Sequence, residues 1–292
     1  MSRVLIEHAP PLRVLLTGAT SQIGVALRRM LLEQGHGIIA LSRTPPADAD
    51  PGVRWRQADL DDGWPAVGAV DAVISFGPMQ ALADALAALD DAPCRRLVAT
   101  SSMSAVSKRD SSVAEDRALS ASLREAEAAL IAQCERLGIG WTVLRPTMIY
   151  GLGIDRNISP VARRATRTRV FPYPRGRGMR QPVHAEDVAL AAWRALHRDA
   201  AIGRIIEIGG GERLRIDAMF CRVRAGLPAW TLPLPVPRVA LALAAAVRPG
   251  LRGFASRIDQ DLLADNAVVE AVLGVEPRGF APGRADGREA AT

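Results

Sequence analysis

Lysine is almost missing: of 37 basic residues, every one but Lys108 is an arginine. Against 31 acidic residues this leaves a formal charge of +6. Such a balance favours anionic small molecules, acidic membrane surfaces or nucleic acid without choosing among them. Tyrosine is nearly as scarce, with two, and aromatic residues make up 4% of the chain. Nucleic-acid surfaces interleave basic and aromatic side chains around a reading motif, and neither is found, so no nucleic-acid partner is expected. Cys94, Cys134 and Cys221 are odd in number and far apart, and none shares ligand spacing with the four histidines. A disulfide framework and a metal site are therefore not expected, and a reducing cytoplasm is the expected location. Residues 1–11 lack the apolar core of a secretory leader. The longest apolar stretch, 236–247, contains Arg238 and falls short of the ~20 residues a bilayer span needs. A core or interfacial helix fits it better, which leaves peripheral membrane contact open.

The chain does carry alternation of short apolar runs with helical periodicity, the pattern of parallel strands joined by crossover helices. Strands are expected at 12–17, 37–42, 53–57, 71–76, 95–101 and 140–145, and helices at 22–34, 80–89 and 117–137. After Pro146 the rhythm changes into an Arg-, Pro- and Gly-rich segment. A short strand at 181–183, a helix at 186–198, a strand at 205–208 and helices at 216–225 and 267–273 follow. The expected fold is α/β: a Rossmann-type doubly wound parallel sheet over 12–150, with 181–210 returning to it. A small C-terminal substrate-covering subdomain would comprise 151–180 and 211–280, and 281–292 would be a disordered tail.

The most telling segment is Thr17-Gly-Ala-Thr-Ser-Gln-Ile-Gly24, between a buried strand and a helix. A dinucleotide needs a side-chain-free turn where the pyrophosphate approaches, which Gly18 supplies, and close helix–sheet packing, which Gly24 supplies. The helix N-terminus then presents free N–H groups to phosphate from Thr20, Ser21, Gln22 and Ile23. Ser21 stands where the usual middle glycine would be. At the end of the second strand, where NAD-specific sites place an acid for the ribose hydroxyl, this chain has Arg43. An arginine suits a 2′-phosphate, so NADP(H) is favoured over NAD(H). Asp59 and Leu60 follow the third strand near the adenine edge, and Phe76 and Gly77 follow the fourth.

Together with Ser101-Ser102, Leu144-Arg-Pro-Thr-Met-Ile-Tyr-Gly151 and Gln181-Pro-Val-His-Ala-Glu-Asp-Val188, these motifs run in order over 12–196. In that order they resemble the extended or atypical short-chain dehydrogenase/reductase superfamily, the NAD-dependent epimerase/dehydratase group. The resemblance implies cofactor contact by Pro146 and a carbonyl-orienting role for Ser102. It also implies a Tyr followed four residues later by Lys, the pair that moves the proton as hydride moves. Aligning Ala126-Glu127 with the group's helix places Leu119 and Leu123 there instead. Neither tyrosine is followed at that spacing by lysine: Tyr150 is followed by Ile154 and Tyr173 by Arg177. Lys108, just after the active-site strand, is the candidate substitute, since arginine does not exchange protons near neutral pH. A solvated loop lysine is the plainer account of it.

The resemblance places a nucleotide-sugar diphosphate under the segment 156–180, which holds eight arginines and no acid. Arg180, Arg177 and Tyr150 are the candidate substrate contacts, and the substrate is expected to be a small anion, nucleotide-sugar or lipid-linked. His184 and Asp187 read as packing and helix-terminus residues. Apolar Leu119 and Leu123 leave a homodimer open. Two functions compete. One is an NADP(H)-dependent oxidoreductase or sugar-nucleotide-modifying enzyme with an atypical active site. The other is a non-catalytic NADP(H)-binding sensor, regulatory or assembly factor.

Overall fold

The protein is described by a computed structural model covering residues 10–47, 50–155 and 157–283. The alternation after residue 12 folds as a series of parallel strands and crossovers. They are β1 (Arg13–Thr17), α1 (Gln22–Glu33), β2 (Gly37–Ser42), β3 (Val53–Gln57), β4 (Ala72–Ser75), α2 (Met79–Ala87) and β5 (Arg96–Thr100). A one-turn helix α3 (Ser104–Ser107), the long α4 (Ala114–Arg136) and β6 (Gly140–Pro146) come next. The Arg-rich stretch is not featureless: it forms β7 (Ile149–Tyr150), α5 (Ser159–Thr168), β8 (Val170–Pro174) and β9 (Met179–Arg180). Then come β10 (Val183–His184), α6 (Ala185–His197), β11 (Arg204–Ile208), β12 (Leu214–Arg215) and α7 (Ile216–Ala225). The chain ends through β13 (Leu232–Val236), α8 (Arg238–Val247), α9 (Arg252–Ser256) and α10 (Ala267–Leu273).

Seven strands make one parallel sheet in the order β11-β6-β5-β4-β1-β2-β3. The order reverses between β1 and β4, so a crevice opens at the carboxyl ends of those two strands, where ligands of open α/β sheets bind. Both faces are covered, which is why the central strands read as continuous apolar runs. One face packs Leu16, Ile74 and Val98 against α1 and α6, with Trp193 fully buried. The other packs Leu15, Val73 and Leu97 against α2 and α4. A separate core around Phe171, Ile216 and Leu241 knits β8, α5, α7 and α8 together.

Two expectations fail here. The strand expected at 181–183 is split, because Pro182 has no N–H to donate to a ladder and Gln181 uses its side chain instead. Its Nε2 donates to Gly210 O at 2.8 Å and its Oε1 accepts from Ala264 N at 3.0 Å. The expected tail is held at its first residue: Ala281 N donates to the Tyr150 hydroxyl at 3.3 Å. Residues 284–292 lie outside the described residues. Just before that point, 277–280 return to the start of α6 and the turn after β11. Arg278 donates from its backbone N and from Nε to the buried Asp187 carboxylate, both at 2.9 Å. Gly211 N donates to Arg278 O at 2.9 Å.

Candidate functional site

The crevice is shaped by two glycines. Gly18 has φ of +65°, and a Cβ there would sit 2.6 Å from the Phe76 carbonyl carbon, so no side chain fits between β1 and the end of β4. At Gly24 a Cβ would sit 2.4 Å from Gly18 O, so α1 can close on the loop only without one. Ser21 is the N-cap of α1, its Oγ accepting from Gly24 N at 3.1 Å. Its proton is free for another acceptor, which is how a serine serves at the middle-glycine position. With Ser21 N and Val25 N bonded within the turn, the N–H groups of Gln22 and Ile23 are those the helix itself leaves open. Arg28 braces the loop from below: its Nε donates to Ala19 O at 3.1 Å, while the guanidinium pairs with Asp50 and lies 5.1 Å over the Trp55 ring.

From this loop a cleft of about 1580 Å³ runs into the C-terminal elements. Gly18, Thr20, Ser21, Gln22, Phe76, Gly77, Ser102, Lys108, Pro146 and Arg180 line it. Other candidates lie off its wall. Ile23 and Gly24 are buried in α1, and Leu60 is buried in the sheet core. Arg43 and Asp59 follow β2 and β3 at the same sheet edge. The Arg43 side chain is 82% exposed and only 3.9 Å from Asp59, whose Oδ1 caps the next turn by accepting from Asp61 N at 3.2 Å.

Two polar atoms at the cleft are buried without a partner among the described residues: Gln22 Oε1 and Ser101 Oγ. Buried polar groups are normally satisfied, so this pair and the glycine cradle fit a polar ligand laid over the loop. Ser102 Oγ accepts from Ser104 N at 3.1 Å and keeps its proton for a donor role. From sequence Ser101 is part of the Ser101-Ser102 motif and the last residue of a strand, with no role of its own.

Lys108 is no solvated loop lysine. It caps α3 with its side chain 17% exposed, and Nζ lies 2.9 Å from Asp116 Oδ1. Asp116 is buried on α4 and also takes Arg257 and the Ser111 hydroxyl. One carboxylate is thus shared between two cations. Burial first, and the Arg257 charge second, hold the Lys108 ammonium below its usual pKa in spite of Asp116. The unfolded chain then binds this proton more readily than the folded one. The Lys108 contribution to stability accordingly rises with pH between the folded value and the ordinary 10.5. As the sole lysine, its titration is directly readable: ¹³C-dimethylated protein should show one lysine resonance with a midpoint below that of a free lysine. A midpoint at or above 10.5 would contradict the geometry.

The aligned Leu119 and Leu123 do not line the cleft; Leu119 is exposed. The inward positions of α4 near α3 are Asp116 and Ser120, the latter donating to Ala105 O at 2.7 Å.

At the far end the substrate candidates are rearranged. Tyr150 is buried, absent from the cleft wall, and stacked edge-on against His184 and Phe280; its hydroxyl donates to Gly279 O at 3.2 Å. Arg177 lies on a separate surface depression with Arg175, Arg215 and Arg238. Arg180 does reach the wall, yet its guanidinium donates to the carbonyls of Met179, Gln260 and Arg257 at 2.7–2.8 Å. Burial lowers its pKa to about 10. It fastens the 257–260 segment. The cations facing the cleft whose side chains make neither an ion pair nor a hydrogen bond among the described residues are Arg164 on α5 and Arg248 after α8. Arg156 lies outside the described residues. Around them the wall is apolar, with Val161, Met219, Phe220, Leu241, Leu251 and Phe254, and it includes the second phenol, Tyr173. Sequence grouped 151–180 with 211–280 but gave no sign of which of their side chains meet at the wall.

The NAD(P)H-binding family matches residues 18–199. No curated protein matches the chain in sequence. In structure it is similar to UDP-glucuronic acid 4-epimerase from Bacillus cereus, solved with UDP-glucuronic acid and NAD. The two share 14% identity at a TM-score of 0.69 over 92% of this chain and 95% of that one. An epimerase from Methanothermobacter thermautotrophicus gives 17% identity and a TM-score of 0.71 over 94% and 90%. UDP-glucose 4-epimerase from Thermotoga maritima gives 16% and 0.68 over 92% and 94%. At such identities the likeness is one of fold.

Proposed function

The chain belongs to the NAD(P)H-binding family, and on that premise we propose that it is an NADP(H)-dependent oxidoreductase or sugar-nucleotide-modifying enzyme with an atypical active site. The observation that carries the reading is the single cleft joining the glycine loop, the Ser101–Ser102 strand end, Lys108 and a chamber edged by Arg164 and Arg248. The loop from Gly18 to Ile23 would hold the pyrophosphate and Arg43 the 2′-phosphate. Bound, the nicotinamide would give or take a hydride. Ser102 would orient the reacting carbonyl or hydroxyl with its free proton. Lys108, with its lowered pKa, would exchange the proton that a tyrosine otherwise moves. Arg164 and Arg248 would meet the negative charge of the substrate.

The cofactor preference has its own test. Arg43→Asp should weaken NADPH by roughly 10- to 100-fold, the scale of one charged hydrogen bond and its reversal. NADH should then bind tighter than NADPH in fluorescence titrations, and equal wild-type affinities would sink the NADP assignment. For chemistry, substrate-dependent NADPH consumption should vanish in Ser102→Ala and in Lys108→Arg, which keeps the charge but not the titration.

A non-catalytic sensor or assembly factor is favoured by one observation: Lys108 is engaged by Asp116, the same carboxylate through which Arg257 ties the end of α9 to α4, so the lysine belongs to a structural cluster. Tight NADPH binding with no turnover across carbonyl compounds and nucleotide sugars would decide for it.

A further inference from the structure

Helix α8 is apolar on two sides. Leu241 and Ala245 are buried, and Leu241 and Ala244 line the cleft. Val239, Leu243 and Val247 repeat every fourth residue along the opposite side and are 72%, 65% and 82% exposed. The preceding strand adds Trp230, 71% exposed, with Leu232 and Leu234. Half of the large hydrophobic side chains exposed among the described residues therefore fall within 230–247. Isolated exposed hydrophobics need no explanation, but a collected set marks an interaction surface.

Cations prevail around this face. From 218 to 258 the sequence contains six arginines and no acid. Arg222, Arg238 and Arg257 are ion-paired with Glu212, Asp259 and Asp116, which leaves Arg224, Arg248 and Arg252 without an ion pair among the described residues. Arg238 begins α8, Arg248 caps its end at the mouth of the cleft, and Arg252 opens α9 four residues on. β13 runs parallel to β8, itself part of the acid-free arginine segment 156–180. A hydrophobic face with unpaired arginines at the end of its helix matches an anionic lipid surface. There a tryptophan settles at headgroup depth and arginines meet phosphates. No helix is long and apolar enough to cross a membrane among the described residues, so α8 would lie in the interface plane.

We propose that the β13–α8 face docks this protein on an anionic lipid surface, with the apolar end of the cleft directly behind α8. The experiment is flotation of the full chain with vesicles of phosphatidylcholine alone and of phosphatidylcholine mixed with phosphatidylglycerol. Binding is expected to the mixed vesicles, weakening as salt is raised. Leu243→Glu/Val247→Glu should cut it by about tenfold or more while NADPH affinity and melting temperature stay as in the parent, since both side chains face solvent. No flotation with mixed vesicles, or undiminished flotation of the double variant, overturns the proposal. A concentration-dependent dimer in sedimentation velocity that the same variant abolishes also overturns it, by giving the face to a second copy. NADPH titration in the same preparations keeps a failure here separate from a failure of the cofactor reading.

Discussion

Gly18→Ala should leave a folded protein with no measurable NADPH or NADH binding and a melting temperature lower by roughly 3–8 °C. Two penalties combine. An L side chain at φ of +65° costs about 1–2 kcal/mol by itself. The added methyl would also lie 2.6 Å from the Phe76 carbonyl carbon and 2.7 Å from its oxygen. The clash is with backbone at the end of a central strand, so relief means lifting the loop off β4, with an overpacking cost of about 1–3 kcal/mol. A lifted loop also moves the Gln22 and Ile23 N–H groups away from the phosphates they would meet. Calorimetry and nucleotide fluorescence read the two effects separately. A variant that lost stability but kept full affinity would show that the pyrophosphate does not lie on this loop.

Asp116→Ala should be the most damaging single change outside the sheet. Lys108 and Arg257 are each less than a fifth exposed, and Asp116 is the acid that both engage. Removing one partner from a buried ion pair strands the other charge, at about 3–5 kcal/mol. Here one deletion strands two cations. Replacing the whole cluster with apolar residues is often close to neutral, so the triple change Asp116→Ala/Lys108→Met/Arg257→Met should recover most of the loss. Thermal melts of the single and triple variants check this. If Asp116→Ala melts with the parent, the clamp between α4 and α9 contributes nothing. Because Gly253 packs against the Asp116 carboxylate with no room for a Cβ, the single variant should also loosen α9, which limited proteolysis would detect.

The sheet was legible because burial on both faces forces an apolar run wherever a parallel strand passes. β2 and β3 fall on their expected residues, and β1, β4 and β5 within a residue. The glycine loop was legible for the same kind of reason: Gly18 and Gly24 stand where no Cβ fits, a constraint that one residue type satisfies. The distal site was not. Arg180 and Arg177 are neighbours in sequence with the same charge, yet one is tied to carbonyls on 257–260 and the other faces a different depression. What separates them is a contact some 80 residues away, which no local pattern encodes. Tyr150 was misassigned for a related reason: its partners, Gly279 and Phe280, come 129 and 130 positions later. Lys108 stood out by its rarity, but only the fold supplies Asp116 and Arg257.

The return of residues 277–280 bears on how the protein is made. Asp187 is buried with its charge balanced by Arg278, 91 positions further on. Chains emerge N-terminus first, so the cofactor half carries an uncompensated carboxylate until 91 further residues have been added. A product cut short before Arg278 would hold every residue of the nucleotide loop and still lack the last fastening of α6 beneath it. Quality-control proteases would meet it as an unfinished chain, so incomplete synthesis should yield degradation products and not a smaller cofactor binder.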